Sequence, residues 1–335
     1  MLAFTLRRLA LAVPTLLFIA LVIFLLLDLA PGDPMGDQPL TIPPEVREEM
    51  RRALGLDQPL HVRFGLWLHQ FFVVEPQVVA DRLLGTAYAE GESRIISWQF
   101  KSPVMDVIWQ RLPQTLWVVG SAYVLGCLIA VPLGILSAVR QYSVFDQIGT
   151  FISMVGFSVP TFFMGVLLIV VFSVNLGWFP SIYDTQLEVT DWRSFLQQLR
   201  QMALPVFVLA LFNAAQVSRY MRAAMLDNLH QDYVRTARAK GMDERTVVLR
   251  HVLRNSLIPV VTVIALGVPT IFGGAIITEQ VFKVNGLGQL LITAINANDL
   301  PMVQTLTFIF AVLIVLFNLV ADVLYGLLDP RIRYD

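Results

Sequence analysis

Long uncharged segments alternate with shorter charged ones along most of the chain. Each uncharged segment contains a stretch close to the roughly 20 apolar residues that a helix needs to cross about 30 Å of hydrocarbon. A water-soluble protein would need a very large core to bury six such helices. We therefore predict an all-α membrane protein with six transmembrane helices. The segments are Leu9–Leu27, Leu112–Val139, Gln147–Tyr183, Gln201–Ser218, Asn255–Thr278 and Leu300–Ala321.

The composition agrees with this prediction. Hydrophobic residues make up 56% of the chain and charged residues 15%, whereas an average soluble protein is about 25% charged. The net charge of -1 identifies no class of partner, because the positive charge is concentrated in a few segments. The single cysteine, Cys127, lies in the second predicted span and cannot form an internal disulfide.

The orientation follows from the basic residues. Arg7 and Arg8 precede the first apolar run, which is longer than the core of a signal peptide and is followed by no clear cleavage site. We therefore predict an uncleaved first span that starts in the cytoplasm, so that six spans place both termini there. The short connections on the inner side then carry Arg140, Arg219 and Arg222, as the positive-inside rule requires.

The predicted organisation has three parts. Residues 1–30 form the N-terminus and the first span, residues 31–111 form an extracytoplasmic cap of short helices, and residues 112–335 form a core with spans two to six. In the cap, a helix is expected to follow Pro43 and Pro44 and to end near Gly55, because acids come early in it and arginines late.

Prolines and glycines interrupt several spans. Proline removes a backbone donor and can kink a helix, and glycine lets helices approach closely. Such helices suit a pathway that opens and closes, although both residues are common in membrane helices. The prolines are Pro132, Pro160, Pro205 and Pro269, and the fifth span adds Gly267, Gly273 and Gly274. From polarity and position, the candidate pathway residues are Pro160, Asn213, Gln216, Gly273 and Gly274.

Motifs for catalysis are missing from the sequence. There is no G-x-x-x-x-G-K-[ST] phosphate loop, and the "NGLGQL" segment, Asn285–Leu290, lacks the third glycine of a dinucleotide motif and follows no strand. The four histidines include no plausible zinc set. Asp28 and Asp322 lie near span ends, where local capping or pairing is favoured over proton coupling. We predict a protein that is not an enzyme and binds neither cofactor nor metal.

A cationic stretch, Tyr233–Pro259, separates the fourth and fifth predicted spans. The fourth span is expected to continue without interruption into its first helix. Gly241 suits the position after that helix, with Arg238 and Lys240 in the preceding turn, where cations favour the helix dipole. Asp243 can cap the next helix. The stretch is therefore predicted to form a helix, a sharp turn and a second helix on the cytoplasmic side.

Two explanations for this stretch remain open. Its arginines could bind anionic lipid and hold the orientation of the chain. Alternatively, the turn could dock onto a soluble partner, which would explain a defined glycine-centred turn with the small residues Ala237 and Ala239. Docking is the more specific hypothesis, because arginines can fix the orientation of the chain in the membrane without a defined turn.

The stretch resembles the cytoplasmic "EAA" loop of binding-protein-dependent ABC importer permeases, in particular the oligopeptide/dipeptide subfamily. Ala237 and Gly241 match the family pattern E-A-A-x-x-x-G, whereas Arg235 and Thr236 replace its glutamate and first alanine. The resemblance covers nearly the whole chain. It includes "APGDP", "LGLDQPL", "RLPQTL", "GFSVPTFF", "DYVRTARAKG", "LRNSLIPVVT", "TEQVFKVNGLGQLL" and "LVADVLYGLLDPRIR". The subfamily often has proline where Asn285 stands.

The resemblance implies a type I ABC importer permease in the bacterial inner membrane, moving di- or oligopeptides inward by alternating access. A second permease chain, which the family favours as a distinct homologue, would complete the pathway. Two ATPase subunits would bind ATP and Mg²⁺, and an extracytoplasmic binding protein would deliver substrate; no nucleic acid partner is implied. In this family the loop, here about 221–258, couples to the ATPase. The implied coupling residues are Tyr233, Arg235, Thr236, Ala237, Arg238, Lys240, Gly241, Met242 and Asp243, with Ala237 and Gly241 at the closest approach.

Other functions remain as alternatives. The same machinery could carry nickel complexes, glutathione, opines or sugars, because substrate choice lies mostly in the binding protein. A secondary carrier driven by an ion gradient belongs to a different class and would need no ATPase partner. A membrane-embedded enzyme is disfavoured, because the spans contain no paired catalytic motif.

Overall fold

A computed structural model describes residues 2–29, 57–269, 271 and 275–328, and these residues are predominantly helical. The first helices are α1 (Leu2–Asp28), α2 (Leu60–His69), α3 (Glu75–Leu84), α4 (Val104–Thr115), α5 (Ser121–Val139), α6 (Val144–Ser158) and α7 (Thr161–Leu168). They are followed by α8 (Trp192–Leu229), α9 (Asp232–Ala239), α10 (Glu244–Thr246), α11 (Leu253–Gly267), α12 (Ile276–Phe282), α13 (Leu287–Asn296) and α14 (Leu300–Leu328).

Short π-helical turns join several of these helices into longer rods. Leu116–Gly120 connects α4 to α5, and Val247–Val252 connects α10 to α11. Five helices are then long and apolar enough to cross a membrane: Thr5–Asp28, Val104–Val139, Trp192–Leu229, Glu244–Gly267 and Leu300–Leu324. The bent pair Val144–Ser158 and Thr161–Asn175 adds a sixth span if its two halves are counted as one span. The all-α class is therefore confirmed for the described residues, and their five to six spans agree with the predicted six.

The third span is bent at one of the prolines noted in the sequence. The uncharged segment Gln147–Tyr183 contains two helices, whose axes differ by 101° across the break between Ser158 and Thr161. Val159 is extended (φ -81°, ψ 124°) and Pro160 caps α7. Proline disfavours the helical conformation in the residue before it, so the chain leaves the helix and starts a new one. Pro132 and Pro205, in contrast, lie inside continuous helices.

The chain divides into two compact units. Unit 1 comprises Met1–Ala12, Pro113–Gln289 and Leu313–Asp335, and unit 2 comprises Val13–Leu112 and Leu290–Val312. In unit 1, Arg8 forms an ion pair with Asp322 at 3.0 Å. In unit 2, Asp28 pairs with Arg63 at 2.7 Å. Both acids at span ends are therefore paired locally, as the sequence indicated.

The packing of α5 on α8 forms the centre of unit 1. The face of α5 that is buried carries a small residue at every fourth position: Ala122, Gly126, Ala130, Gly134 and Ala138. A Cβ atom at Gly134 would lie 2.6 Å from the Cβ of Met221 on α8. Small residues let helix backbones approach closely, so dispersion contacts between backbones can hold two membrane helices together. This stripe was not recognised in the sequence, although its period of four was visible.

Unit 2 is held by aromatic and ionic contacts. Trp67 on α2 packs edge-on against Phe308 on α14, with ring centroids 5.2 Å apart. Arg94 bridges Glu75 and Asp106 with hydrogen bonds of 2.8 to 3.1 Å. Of the predicted cap, residues 31–111, the described part therefore contains α2, α3 and the beginning of α4. The helix expected to end near Gly55 lies outside the described residues.

Candidate functional site

The predicted coupling turn, residues Tyr233–Asp243, forms a closed structure at the end of α9. Gly241 has φ +77°, a conformation that glycine adopts without strain. Its N–H donates to the Arg238 carbonyl at 2.9 Å, and the Met242 N–H donates to the Ala237 carbonyl at 3.4 Å. This pair of hydrogen bonds is the Schellman motif, which satisfies the last carbonyls of a helix. The predicted position of Gly241 after the helix is confirmed.

The next helix starts immediately and is tied back to the first. The Asp243 side chain accepts the N–H of Thr246 at 3.3 Å, so the predicted N-cap is confirmed. Arg238 forms two hydrogen bonds with Glu244, at 2.6 and 3.0 Å, across the turn. These bonds raise the pKa of Arg238 above its ordinary value, so the guanidinium stays charged. The turn is thus braced by a cap, an ion pair and the Schellman bonds.

The predicted continuity of the fourth span into α9 is wrong. The helix α8 ends at Leu229, and Gln231 is extended (φ -75°, ψ 151°). The His230 ring nitrogen Nδ1 lies 2.8 Å from the Leu226 carbonyl, and the Gln231 amide donates to the Asp227 carbonyl. The side chains of His230 and Gln231 thus hydrogen-bond to backbone carbonyls in the last turn of α8. Such bonds compete with the backbone hydrogen bonds that would continue the helix.

The apolar face of the turn packs against its own chain. Val234 and Ala237 on α9 are buried with Val247, Val248 and other residues of unit 1. Ala237 is only 6% exposed, because it shares the buried stripe of α9 with Val234 one turn earlier. It therefore lies behind the surface of the turn, whereas Gly241 is exposed and a Cβ atom there would meet nothing within 4 Å.

The other candidate coupling residues lie on the outward side of the turn. Tyr233, Arg235, Thr236, Arg238, Lys240 and Asp243 are exposed, and Met242 is half-buried. Arg235 pairs with Asp232 at 3.4 Å, and the Tyr233 hydroxyl donates to Asn228 at 2.7 Å. The nine candidates therefore lie on one short segment, with a polar outward surface fixed to the core through an apolar inner face.

A cavity of about 460 Å³ lies among α5, α8 and α11 in unit 1. Two of the predicted pathway residues, Asn213 and Gln216, line it together with Tyr220 and Tyr123. None of the described residues that line this cavity is charged. Pro160 lies elsewhere, at the break of the third span, and Gly273 and Gly274 lie outside the described residues. The cavity offers amide and phenol groups, which hydrogen-bond to polar ligands of either charge.

Tyr123 is a cavity residue that was not identified in the sequence. Its hydroxyl donates a hydrogen bond to the carbonyl of Ile264 on α11. At this end of α11 the Val268 N–H donates to the carbonyl of Ala265, three residues earlier, and not to the carbonyl of Ile264, so the last turn of the helix is tighter. A Cβ atom at Gly267 would overlap with the Tyr123 hydroxyl. Gly267 was noted in the sequence as a residue that permits close helix approach. Because it has no side chain, it leaves room for the side chain of Tyr123, which lies 144 positions earlier in the chain.

Comparisons with known families agree with this architecture. Residues 130–334 match the model of the binding-protein-dependent transport system inner membrane component. Residues 1–119 match the N-terminal model of the same kind of membrane component. The chain therefore belongs to the family of binding-protein-dependent transport system inner membrane components.

Individual relatives match over their full length. The chain is 39% identical over 342 residues to the oligopeptide transport system permease protein AppB of Bacillus subtilis, covering all of both chains. It is 38% identical over 340 residues to a putative peptide transport system permease protein of Brucella abortus, and 36% identical over 338 residues to the glutathione transport system permease protein GsiC of Salmonella typhi. Both matches again cover both chains completely.

A solved structure supports the fold. A chain of an amino acid ABC transporter crystallised with histidines aligns with a TM-score of 0.51 and 14% identity, covering 66% of this chain and 94% of that one. At this identity the match concerns the fold alone. The protein therefore has the type I ABC importer permease fold.

Proposed function

We propose that this chain is a permease subunit of an ATP-driven importer that carries di- or oligopeptides from the exterior to the cytoplasm. A second homologous permease chain would complete the pathway, two separate ATPase chains would hydrolyse ATP, and an extracytoplasmic binding protein would deliver the cargo. The names of the relatives support a peptide cargo: two are named for peptide or oligopeptide transport and one for glutathione. Both termini would lie in the cytoplasm.

The observation that carries the coupling proposal is the connection between the turn and the cavity. Glu244–Gly267 is one helical rod of 24 residues that starts at the turn. Its far end, including Val263, Leu266 and Gly267, lines the cavity. At 1.5 Å per residue, such a rod is roughly 36 Å long. A displacement applied to the turn by an ATPase would therefore reach the cavity wall without an intervening flexible segment.

The polar surface of the turn suits a protein partner. Arg235, Arg238 and Lys240 give it positive charge, and Gly241 leaves open space for close approach. Since Val234 and Ala237 anchor the turn to the core, a partner that moves the polar surface also moves the helices behind it. Alternating access then requires only that the ATPase holds the turn in one position when ATP is bound and in another position when the nucleotide has left.

The cavity is consistent with a peptide pathway. Its Asn213 and Gln216 amides and its tyrosine hydroxyls can hydrogen-bond to backbone amides, which every peptide shares. Because the described lining residues carry no charge, they would not select peptides by the charge of their side chains. Glutathione is the second candidate cargo, supported by the relative of that name.

The function is tested by reconstitution with the partner chains in liposomes. We expect a labelled tetrapeptide supplied on its binding protein to accumulate inside only when ATP is hydrolysed. Uptake driven by a proton or sodium gradient without ATP would instead identify a secondary carrier.

The coupling assignment is tested by Gly241→Trp in the same system. We expect the variant to insert into the membrane but to lose the ATP hydrolysis that loaded binding protein stimulates, because the indole blocks the open surface of the turn. Gly241→Ala introduces the same backbone strain without the bulk and separates the two effects. Gly91→Trp is the matched control, since Gly91 also has positive φ (85°) and open space but lies in the outer segment. Wild-type ATP hydrolysis in Gly241→Trp would contradict the assignment.

A further inference from the structure

Unit 2 contains a second cavity, of about 440 Å³, that the transport proposal does not use. Its described lining residues lie near the end of α1, on α2, in the segment between α3 and α4, and at the start of α14, and all of them belong to unit 2. The volume is within the range of about 300–1,000 Å³ that is usual for small-molecule sites. We call this space the unit 2 cavity.

Two buried polar side chains line the unit 2 cavity without a hydrogen-bond partner. Trp67 is 5% exposed and Gln304 is 8% exposed. Among the residues that the structure describes, neither the indole Nε1 of Trp67 nor the amide Nε2 of Gln304 has a partner. Unsatisfied buried groups are rare in native proteins. Both of these nitrogen atoms are donors, so a ligand that fits here brings oxygen atoms that accept hydrogen bonds.

Charges of both signs lie in the less buried part of the lining. Asp28 and Arg63 form an ion pair at 2.7 Å, and about a quarter of each side chain is exposed. Arg94, the other arginine of the described lining, is held by Glu75 and Asp106. Each of these arginines is therefore balanced by a carboxylate. A ligand that carries both charges, with its anion toward Arg63 and its cation toward Asp28, complements this lining.

The unit 2 cavity lies at the ends of two candidate membrane spans. Its lining includes the end of Thr5–Asp28 and the start of Leu300–Leu324. Large apolar side chains are exposed in the lining and next to it: Leu66 is 52% exposed, Ile96 44% and Leu26 64%. Apolar surface at the end of a span is in reach of acyl chains, and the boundary of the hydrocarbon is where lipid headgroups lie. The position therefore favours an amphipathic ligand.

We propose that the unit 2 cavity binds the headgroup of a phospholipid with a primary ammonium group, as in phosphatidylethanolamine. The phosphate and ester oxygens accept hydrogen bonds from Trp67 and Gln304, and the ammonium group donates to Asp28. A choline headgroup has no N–H to donate, and the balanced charges of the lining offer no advantage to an anionic headgroup. The proposal requires only that the chain lies in a membrane and does not depend on the cargo.

The first test measures lipid binding to the full chain in detergent by native mass spectrometry. The probes are phosphatidylethanolamine, phosphatidylcholine and phosphatidylglycerol with identical acyl chains. We expect one phosphatidylethanolamine to bind more tightly than either other lipid. Equal affinity for all three, or no bound phosphatidylethanolamine, would overturn the proposal.

The two donors are tested by Trp67→Phe and Gln304→Leu. The phenylalanine keeps an aromatic ring against Phe71 and Phe308 but has no N–H. Each change should weaken phosphatidylethanolamine binding about tenfold, as expected for one lost hydrogen bond to a charged group. Trp109→Phe is the matched control, since Trp109 also lies in unit 2 but outside the described lining. Wild-type affinity in Gln304→Leu would overturn the site even if Trp67→Phe does not fold.

The position of the headgroup is tested by Asp28→Asn. The change leaves Arg63 without its carboxylate, so the ratio of phosphatidylethanolamine affinity to phosphatidylglycerol affinity should fall several-fold. Asp57→Asn makes the same charge change outside the described lining and should leave the ratio unaltered. An unchanged ratio in Asp28→Asn would overturn the placement of the ammonium group.

A peptide also carries oxygen acceptors and is the main competitor for this cavity. We expect a tetrapeptide, added in excess, to leave phosphatidylethanolamine bound with its affinity unchanged. Displacement of the lipid by the peptide would identify a cargo site and overturn the lipid assignment. The lipid measurements need neither ATP nor the partner chains, so a failure of ATP-driven uptake would contradict the transport function and leave the lipid site standing.

Discussion

The turn at Tyr233–Asp243 and the cavity among α5, α8 and α11 differ in how their residues are brought together. The turn is built from eleven consecutive residues, Tyr233–Asp243, and is charged, exposed and closed by local hydrogen bonds. The cavity is neutral and combines Tyr123, Asn213 and Gly267 from three helices far apart in sequence. The turn should tolerate the loss of one contact, because its residues are consecutive and the backbone keeps them close together. The cavity depends on helix packing, so changes in the packing should have the larger effects.

The largest effect is expected from Gly134→Leu in the stripe of α5. A leucine at this position would overlap with Met221, whose Cβ lies 2.6 Å from the site of the new Cβ. Overpacking costs typically 1–3 kcal/mol and occasionally more, so we expect a loss of about 3 kcal/mol or a failure to fold. The measurement is the apparent melting temperature of the protein in detergent. Gly120→Leu in the same rod is the control, since nothing lies within 4 Å of its Cβ position; equal destabilisation by both changes would remove the special role of the stripe.

An intermediate effect is expected from Gln216→Glu, which places a charge in the neutral cavity. Uptake of an acidic tetrapeptide should fall about tenfold or more relative to a basic one, since like charges in a medium of low dielectric constant repel strongly. The measurement is uptake of the two peptides in competition on the same binding protein. Gln216→Met, similar in size but uncharged, should reduce both equally. An unchanged ratio of acidic to basic peptide uptake in Gln216→Glu would place the pathway elsewhere.

The smallest effect is expected from Arg238→Ala in the turn. The Arg238–Glu244 pair is about half exposed, and exposed ion pairs contribute roughly 0–1 kcal/mol. The Schellman bonds and the Asp243 cap remain, so the free energy of unfolding should fall by less than about 1 kcal/mol. If Arg238 acts only as a brace, Glu244→Ala should reduce coupled ATP hydrolysis to the same extent. A loss in Arg238→Ala without one in Glu244→Ala would show instead that Arg238 contacts the partner directly.

Local signals in the sequence were sufficient for the turn and insufficient for several longer elements. Gly241 and Asp243 were identified as the end of one helix and the cap of the next, because both positions have strong local preferences. Pro160 was noted as a possible kink, but the size of the bend was not predicted, since Pro132 and Pro205 lie inside continuous helices. The end of α8 at Leu229 was missed, because it depends on side-chain hydrogen bonds from His230 and Gln231 that compete with a segment of high helix propensity.

Two of the residues that line the cavity had been singled out in the sequence as pathway candidates. Asn213 and Gln216 were identified because polar amides are unusual in an apolar span, and the structure brings both to one cavity. Tyr123 carried no such signal, since tyrosine is common in membrane helices and its partner Ile264 contributes only a backbone carbonyl. Trp67 and Gln304 were not singled out either, because the unit 2 cavity joins segments far apart in the sequence.

The sequence by itself determined the all-α membrane class of the protein and the local structure of the turn at Tyr233–Asp243. These properties depend on hydrophobicity along the chain and on residues close together in it. Only the tertiary structure decided that Ala237 faces the core, that the α5 stripe packs on α8, and that Trp67 and Gln304 line one cavity. The reason is that a pattern along the chain, such as the period of four in the α5 stripe, can show which residues share a face, but the partner of that face is fixed only when the helices pack together.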